Sequence, residues 1–208
     1  MKTRIFNLVI IDESGSMHSI KRQAIASVNE TFQTIRSAQQ KYPEQEHYVT
    51  LVTFNNDVKT VYDGVPVEEV RELTDATYQP DCCTALHDAM GMSLTALRKQ
   101  VAEADRVLVT IVTDGYENAS REYDGSAIKA LVEELKGRGW VFAYIGADHD
   151  VEAVAEGLSI NNRMSFEKSE QGAKNMSVHL NESREKMFSF FCSESFDSKI
   201  ANECFFDE

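Results

Sequence analysis

Ile5-Phe6-Asn7-Leu8-Val9-Ile10-Ile11 runs directly into Asp12-Glu13-Ser14-Gly15-Ser16-Met17. The first seven residues are short, apolar and rich in Ile and Val, the pattern of a strand buried on both faces. Beyond Met17, Ile25, Val28, Phe32 and Ile35 recur at helical spacing. They predict a helix from about Ile20 to about Gln40, ended by Pro43. A carboxylate and two hydroxyls, spaced two apart, therefore sit where a strand hands over to a helix. Open α/β sheets bind ligands at the carboxyl ends of their strands. Carboxylate and hydroxyl oxygens suit a hard divalent cation. Asp12, Ser14 and Ser16 are thus candidate metal ligands, set against the plainer reading of a turn followed by helix-capping residues.

Working outward, His47 to Phe54 reads as a second strand. Asn55-Asn56-Asp57 is turn chemistry, and Val58 to Tyr62 returns antiparallel at a sheet edge. Val67 to Leu73 suggests one or two helical turns, and Gln79-Pro80-Asp81-Cys82-Cys83 a loop. Thr84 opens a helix with the apolar face Leu86, Met90, Leu94, Leu97 and Val101. Arg106 to Thr113 is the most strand-like run and ends at Asp114-Gly115. Ile128, Leu131, Val132 and Leu135 mark a helix, Trp140 to Ile145 a strand, and Val151, Val154 and Leu158 a short helix. Arg163 to Phe166 is a last strand, followed by a helix from about Glu170 to Phe191. Strands alternating with helices indicate an α/β fold with a mainly parallel sheet and one antiparallel edge strand.

The 208 residues are expected to form one domain, over residues 3–191, with an acidic, Phe-containing tail over residues 192–208. Phe205 and Phe206, which lack periodic context, are expected to pack back on the domain. The net charge of -13 argues against a nucleic-acid binder, which needs a basic footprint. No run approaches the roughly 18–20 apolar residues of a membrane span. Met1-Lys2-Thr3-Arg4 is basic, but the apolar run after it stops at Asp12 and lacks a small-residue cleavage site, so a cytoplasmic location is expected. Cys82, Cys83, Cys192 and Cys204 show neither a disulfide framework nor a C-x-x-C zinc signature. Reduced thiols are expected. Neither the G-x-x-x-x-G-K-[ST] nor the G-x-G-x-x-G phosphate loop occurs.

The second half of the metal site comes from two later turns. Parallel strands point their carboxyl ends to one edge, so Asp114 can converge on Asp12 there, and a loop can bring Thr84 across. Taken singly, Asp114-Gly115 is an ordinary turn; the set makes it a candidate ligand. Octahedral magnesium takes oxygens at about 2.0–2.1 Å and usually keeps several waters, so this half-shell leaves room for another ligand.

Asp12-Glu13-Ser14-Gly15-Ser16-Met17 closely resembles the first element of the metal-ion-dependent adhesion site of von Willebrand factor type A domains. Thr84-Ala85-Leu86-His87-Asp88-Ala89 resembles its threonine element, and Ile111-Val112-Thr113-Asp114-Gly115-Tyr116-Glu117-Asn118 its aspartate element. Order, spacing and context match over roughly residues 3–190. The resemblance implies a three-layer α/β/α, Rossmann-like fold. It implies Ser14, Ser16 and Thr84 as hydroxyl ligands, Asp12 and Asp114 as ligands direct or through water, and an open position for a partner's carboxylate. Mg2+ is the expected ion, with Mn2+ and Ca2+ as alternatives. It further implies that the Glu170–Phe191 helix shifts with metal ligation. One departure stands out: the family often has glycine before its threonine, whereas Cys83 precedes Thr84 here. A thiolate there would favour a softer ion such as zinc, against the plainer reading of small packed thiols.

His18, Cys83, Glu117 and Asn118 are candidates for a partner-binding rim; for His18 the plainer alternative is a solvated first-turn residue. His87 and Asp88 are expected to support the fold. Asp148-His149-Asp150 looks metal-like in composition but is read first as a capped helix start. The expected function is a non-enzymatic, metal-dependent protein–protein interaction domain that binds a partner's Asp or Glu carboxylate. One alternative is an adaptor of an AAA ATPase or a stress-response system, by family analogy. Another is a phosphohydrolase of the haloacid-dehalogenase type, in which the position of Ser14 would carry an acid.

Overall fold

Along the first strand, β1 (Thr3–Asp12), Ile5, Val9 and Ile11 enter one apolar layer, while Phe6, Leu8 and Ile10 enter the other. This period of two, apolar on both sides, marks a strand covered on both faces. The computed structural model describes residues 2–193 and 195–206 and extends the same rule across the sheet. In chain order the remaining strands are β2 (Gln45–Phe54), β3 (Val58–Pro66), β4 (Arg106–Thr113), β5 (Val141–Gly146) and β6 (Asn162–Ser165). They form one sheet in the order β3-β2-β1-β4-β5-β6, parallel throughout except for the β2–β3 pair at one edge.

On one face lie α1 (Lys21–Lys41) and α5 (Glu170–Phe191), which place Val28, Phe32, Ile35, Leu180 and Phe188 over the sheet. On the other lie α2 (Leu86–Leu97), α3 (Gly125–Gly137) and α4 (Val151–Gly157), with Leu94, Val132 and Ala155 inward. Three layers result, as the resemblance implied. Where Val67 to Leu73 suggested one or two helical turns, only Val67–Glu69 turns, as a 3-10 helix. Beyond it the chain runs along α1, where Asn29 bonds both the N–H and the C=O of Leu73 at 2.8 and 3.0 Å.

The chain also turns back after α5. The short helix α6 (Ser198–Cys204) sets Asn202 against β5, where its side chain accepts from the Phe142 N–H at 3.1 Å and donates to the Trp140 carbonyl at 2.9 Å. Asn162, the first residue of β6, donates to the Ala201 carbonyl and accepts from the Phe205 N–H at 2.9 and 3.0 Å. Phe205 is buried. Two asparagine side chains thus satisfy backbone groups that the short edge strand leaves open.

One core residue breaks the apolar pattern. Arg184 of α5 is fully buried, and its Nη2 donates to Thr110 Oγ1 of β4 at 2.9 Å. Its Nε and Nη1 have no hydrogen-bond partner among the described residues. Burial lowers its pKa to about 9.

Candidate metal centre

Strands β1 and β4 are neighbours at the centre of the sheet, and the strand order runs away from them in both directions. Their carboxyl ends therefore flank a topological switch point, where the crevice of an open α/β sheet lies. Asp12 is the last residue of β1, and Asp114 follows the last residue of β4. The two turns are joined by hydroxyls. Thr113 Oγ1 donates to Asp12 Oδ2 at 2.6 Å, and Ser16 Oγ donates to Asp114 Oδ1 at 2.5 Å. Ser14 Oγ stands 3.0 Å from Ser16 Oγ, and the Ser14 N–H donates to Asp12 Oδ1 at 2.7 Å. That last bond tightens the turn so that the hydroxyls of residues 14 and 16 come to the same side. A 3-10 turn, Gly15–Ile20, then leads into α1, with Met17 and Ile20 buried beneath it.

Thr84 reaches this cluster by a different route. The loop before it is laid along the first turn: Gly15 N–H donates to the Cys82 carbonyl at 3.1 Å, and Asp81 N–H to the Glu13 carbonyl at 2.9 Å. Tyr78, fully buried, donates its hydroxyl to the Asp12 carbonyl. Cys82 holds a left-handed backbone, φ 63°, which turns the chain towards Thr84. Thr84 is then clamped by Asn118, whose Oδ1 accepts the Thr84 N–H at 2.9 Å while its own N–H donates to the Thr84 carbonyl at 3.0 Å. A Cβ placed on Gly115 would lie 3.8 Å from both Ser16 Oγ and Thr84 Oγ1, so both hydroxyls lie near that glycine. Asp12, Ser14, Ser16 and Asp114 are thus linked at one sheet edge by hydrogen bonds, and Thr84 lies on the same side of Gly115 as Ser16.

The residues expected at a partner-binding rim have the following places. His18 is exposed on the 3-10 turn. Cys83 is exposed, and its N–H is held by Asn56 Oδ1 at 3.2 Å. Asn118 is exposed but takes part in the Thr84 clamp. Glu117 accepts from the N–H groups of His87, Ala119 and Ser120 at 2.9, 2.8 and 2.7 Å, and from Ser120 Oγ at 2.7 Å. Asp88, buried on α2, accepts from the N–H groups of Arg121, Glu122 and Tyr123 at 2.8, 2.9 and 2.9 Å. Together Asp88 and Glu117 fold the loop after Asp114 onto the start of α2. Asp150 caps α4 through the Ala153 N–H at 2.9 Å. The ring of His149 lies between the Ala147 carbonyl and the Tyr144 hydroxyl, at 2.6 and 3.0 Å.

The sequence reading missed Lys168. From the β6–α5 connection its Nζ comes 2.6 Å from Asp114 Oδ2 and 3.3 Å from Asp148 Oδ2. Asp114 Oδ2 is buried, and its charge partner among the described residues is the Lys168 ammonium. Burial alone would lower the Lys168 pKa; Asp114 and Asp148 outweigh it and raise the pKa, which keeps the ammonium charged. The one signal available beforehand was position: Lys168 follows a strand whose carboxyl end lies at the same edge as Asp114.

The donor set fits a divalent cation. It is all oxygen, and its buried carboxylate oxygen Asp114 Oδ2 already meets a positive charge. Among the described residues no group of three or more His, Cys, Asp or Glu side chains is placed to hold a metal; the oxygens gathered here are two carboxylates and the hydroxyls. Asp12 is pushed up to about 6 by burial, which outweighs its hydrogen bonds from Thr113 and Ser14; the nearby Asp114 charge adds to the rise.

The family model of the von Willebrand factor type A domain matches residues 8–179. No curated protein sequence matches the chain. Among solved structures, a von Willebrand factor type A protein from Catenulispora acidiphila is 13% identical with a TM-score of 0.59, covering 91% of this chain and 43% of its own. A mutant of the PilB minor pilin from Streptococcus sanguinis is 13% identical with a TM-score of 0.59, covering 93% and 64%. Proximal thread matrix protein 1 from the mussel byssus, with a zinc-occupied metal-ion-dependent adhesion site, is 14% identical with a TM-score of 0.56, covering 87% and 46%. This chain thus spans less than two thirds of each of these three chains, and at such identities they bear on the fold alone.

Proposed function

This chain belongs to the von Willebrand factor type A domain family, and from that premise we propose that it is a non-enzymatic module that binds a partner protein through a divalent ion. The observation that carries the reading is the meeting of Asp12, Ser14, Ser16, Thr84 and Asp114 at the switch point. Asp12 and Asp114 supply negative charge. Ser14, Ser16 and Thr84 supply neutral oxygens, which leave a bound ion with residual positive charge. When bound, the ion offers a coordination position to an Asp or Glu carboxylate of the partner. Hard oxygen donors favour Mg2+, with Mn2+ and Ca2+ next. Cys83, exposed and next to Thr84 in the chain, is not needed by this donor set.

A phosphohydrolase reading is weaker, because the position that would carry its general acid is Ser14, whose hydroxyl contacts Ser16. No helix among the described residues is long and apolar enough to cross a membrane. Cys82, Cys83 and Cys192 stand as thiols, which supports a reducing, cytoplasmic setting.

The test is a melting curve with and without Mg2+. The ion should raise the melting temperature by mass action, and Asp12→Ala should remove the effect. An intact protein that responds to no divalent ion overturns the metal reading. Phosphatase turnover that is lost in Asp12→Asn overturns the non-enzymatic one.

A further inference from the structure

Lys168 stands where its charge bears most directly on the metal site. Its side chain is only 17% exposed, and the Asp114 carboxylate it meets is fully covered. The ammonium lies on Oδ2, the oxygen of Asp114 that Ser16 leaves free. A divalent ion that takes that same oxygen cannot share it with an ammonium 2.6 Å away without strong repulsion. The second partner, Asp148, is more than half exposed and so offers the lysine a place nearer solvent.

The chain around Lys168 ties it to a helix. Ser169 is the N-cap of α5, its side chain accepting from the Gly172 N–H at 3.0 Å. A Cβ on Gly172 would fall 2.1 Å from the Glu167 carbonyl oxygen, so residues 167–169 are folded tightly over the first turn of α5. This hook allows little movement of its backbone without movement of that turn.

We propose that Lys168 is a tethered cation that competes with the divalent ion for Asp114, so that metal loading requires its withdrawal from that carboxylate. The inference rests on the metal reading above. Without an ion, the lysine neutralises a buried carboxylate that would otherwise be costly. With an ion, the site is competent only in the fraction of molecules whose lysine has moved off, and apparent affinity is reduced by that fraction.

Calorimetric titration with Mg2+ and Mn2+ alone tests this, using the full chain, Lys168→Met and Lys168→Arg. Lys168→Met keeps the length and apolar stem and removes the charge; it should bind Mg2+ about tenfold more tightly, the scale of one partly screened charge contact. Lys168→Arg keeps the charge and should stay within about twofold of the parent. Hydrogen exchange at residues 167–176 should change on Mg2+ addition to the parent protein and change much less in Lys168→Met. Metal binding by Lys168→Met and not by the parent is the strongest support. Equal affinity in the parent and Lys168→Met overturns the competition and leaves the metal reading intact. Binding by neither overturns both.

Discussion

Two pairs of acidic side chains sit at the same end of the sheet and are satisfied in opposite ways. Asp88 accepts three backbone N–H groups, and Glu117 accepts three together with the Ser120 hydroxyl, all fixed parts of the loop after Asp114 or of the start of α2. Asp12 and Asp114 are met mostly by hydroxyls, which can rotate, and by an ammonium on a flexible stem. The electrostatics diverge accordingly. For Asp88 and Glu117, burial would raise the pKa, but the N–H groups on Asp88, and the Ser120 hydroxyl together with the N–H groups on Glu117, outweigh it and the net shift is downward. For Asp12, burial wins and the pKa rises to about 6. Carboxylates saturated by the backbone act as clamps. Carboxylates met by groups that can turn or leave are free to exchange their partners, as a binding site requires.

The comparison breaks most readily at Asp88. Asp88→Ala removes the acceptor of three N–H groups at once and should cost about 4 kcal/mol of stability in urea unfolding, while any folded fraction still binds Mg2+. A variant that keeps its stability and loses Mg2+ binding would reverse the roles assigned to the two pairs.

The pH dependence sharpens the contrast next. Asp12 titrates near 6 when folded and near 3.9 when unfolded, so the folded state holds this proton more tightly. Its contribution to stability therefore falls as pH rises from about 4 to about 6. His47 runs the other way. Burial, with the charge of Arg184 nearby, lowers it to about 4, and its contribution rises from about pH 4 to about 6.5. The informative quantity is therefore the difference between Asp12→Asn and the parent in metal-free buffer, which should grow by about 3 kcal/mol in favour of Asp12→Asn across that window. A difference that does not vary with pH would place Asp12 among the clamps.

The smallest expected effect is at Glu117. Glu117→Gln keeps one acceptor oxygen and should cost about 1 kcal/mol, read as a shift in the urea midpoint with little change in Mg2+ affinity. A large loss of Mg2+ affinity at unchanged stability would return Glu117 to the rim.

Most of the site was legible because its parts carry local signals. An apolar run that stops at an acid, as at Ile11-Asp12 and Thr113-Asp114, announces both a strand end and a polar group held there. The apolar period of two in β1 and the helical period in α1 place these ends in a covered sheet. The geometry of Thr84 was less accessible. It was expected to open a helix, yet α2 begins at Leu86 and Thr84 is set by a clamp with a residue thirty-four positions away. Lys168 was not legible, because a four-residue strand and a single lysine carry no period, and only the folded topology brings it to Asp114. The helix after α5 was missed for a related reason. Its anchors, Asn162 and Asn202, act by mimicking backbone partners, a role that polar residues in a sequence do not advertise.

The docking of α6 has a mechanical consequence. Support for α5 comes at both ends: the hook at Lys168 rests on the carboxyl edge of the sheet, and the Asn202 and Phe205 anchors hold the following chain to β5 and β6. Near the middle of its span, Arg184 reaches Thr110 with a single hydrogen bond. A beam pinned in this way cannot swing free like a hinged flap.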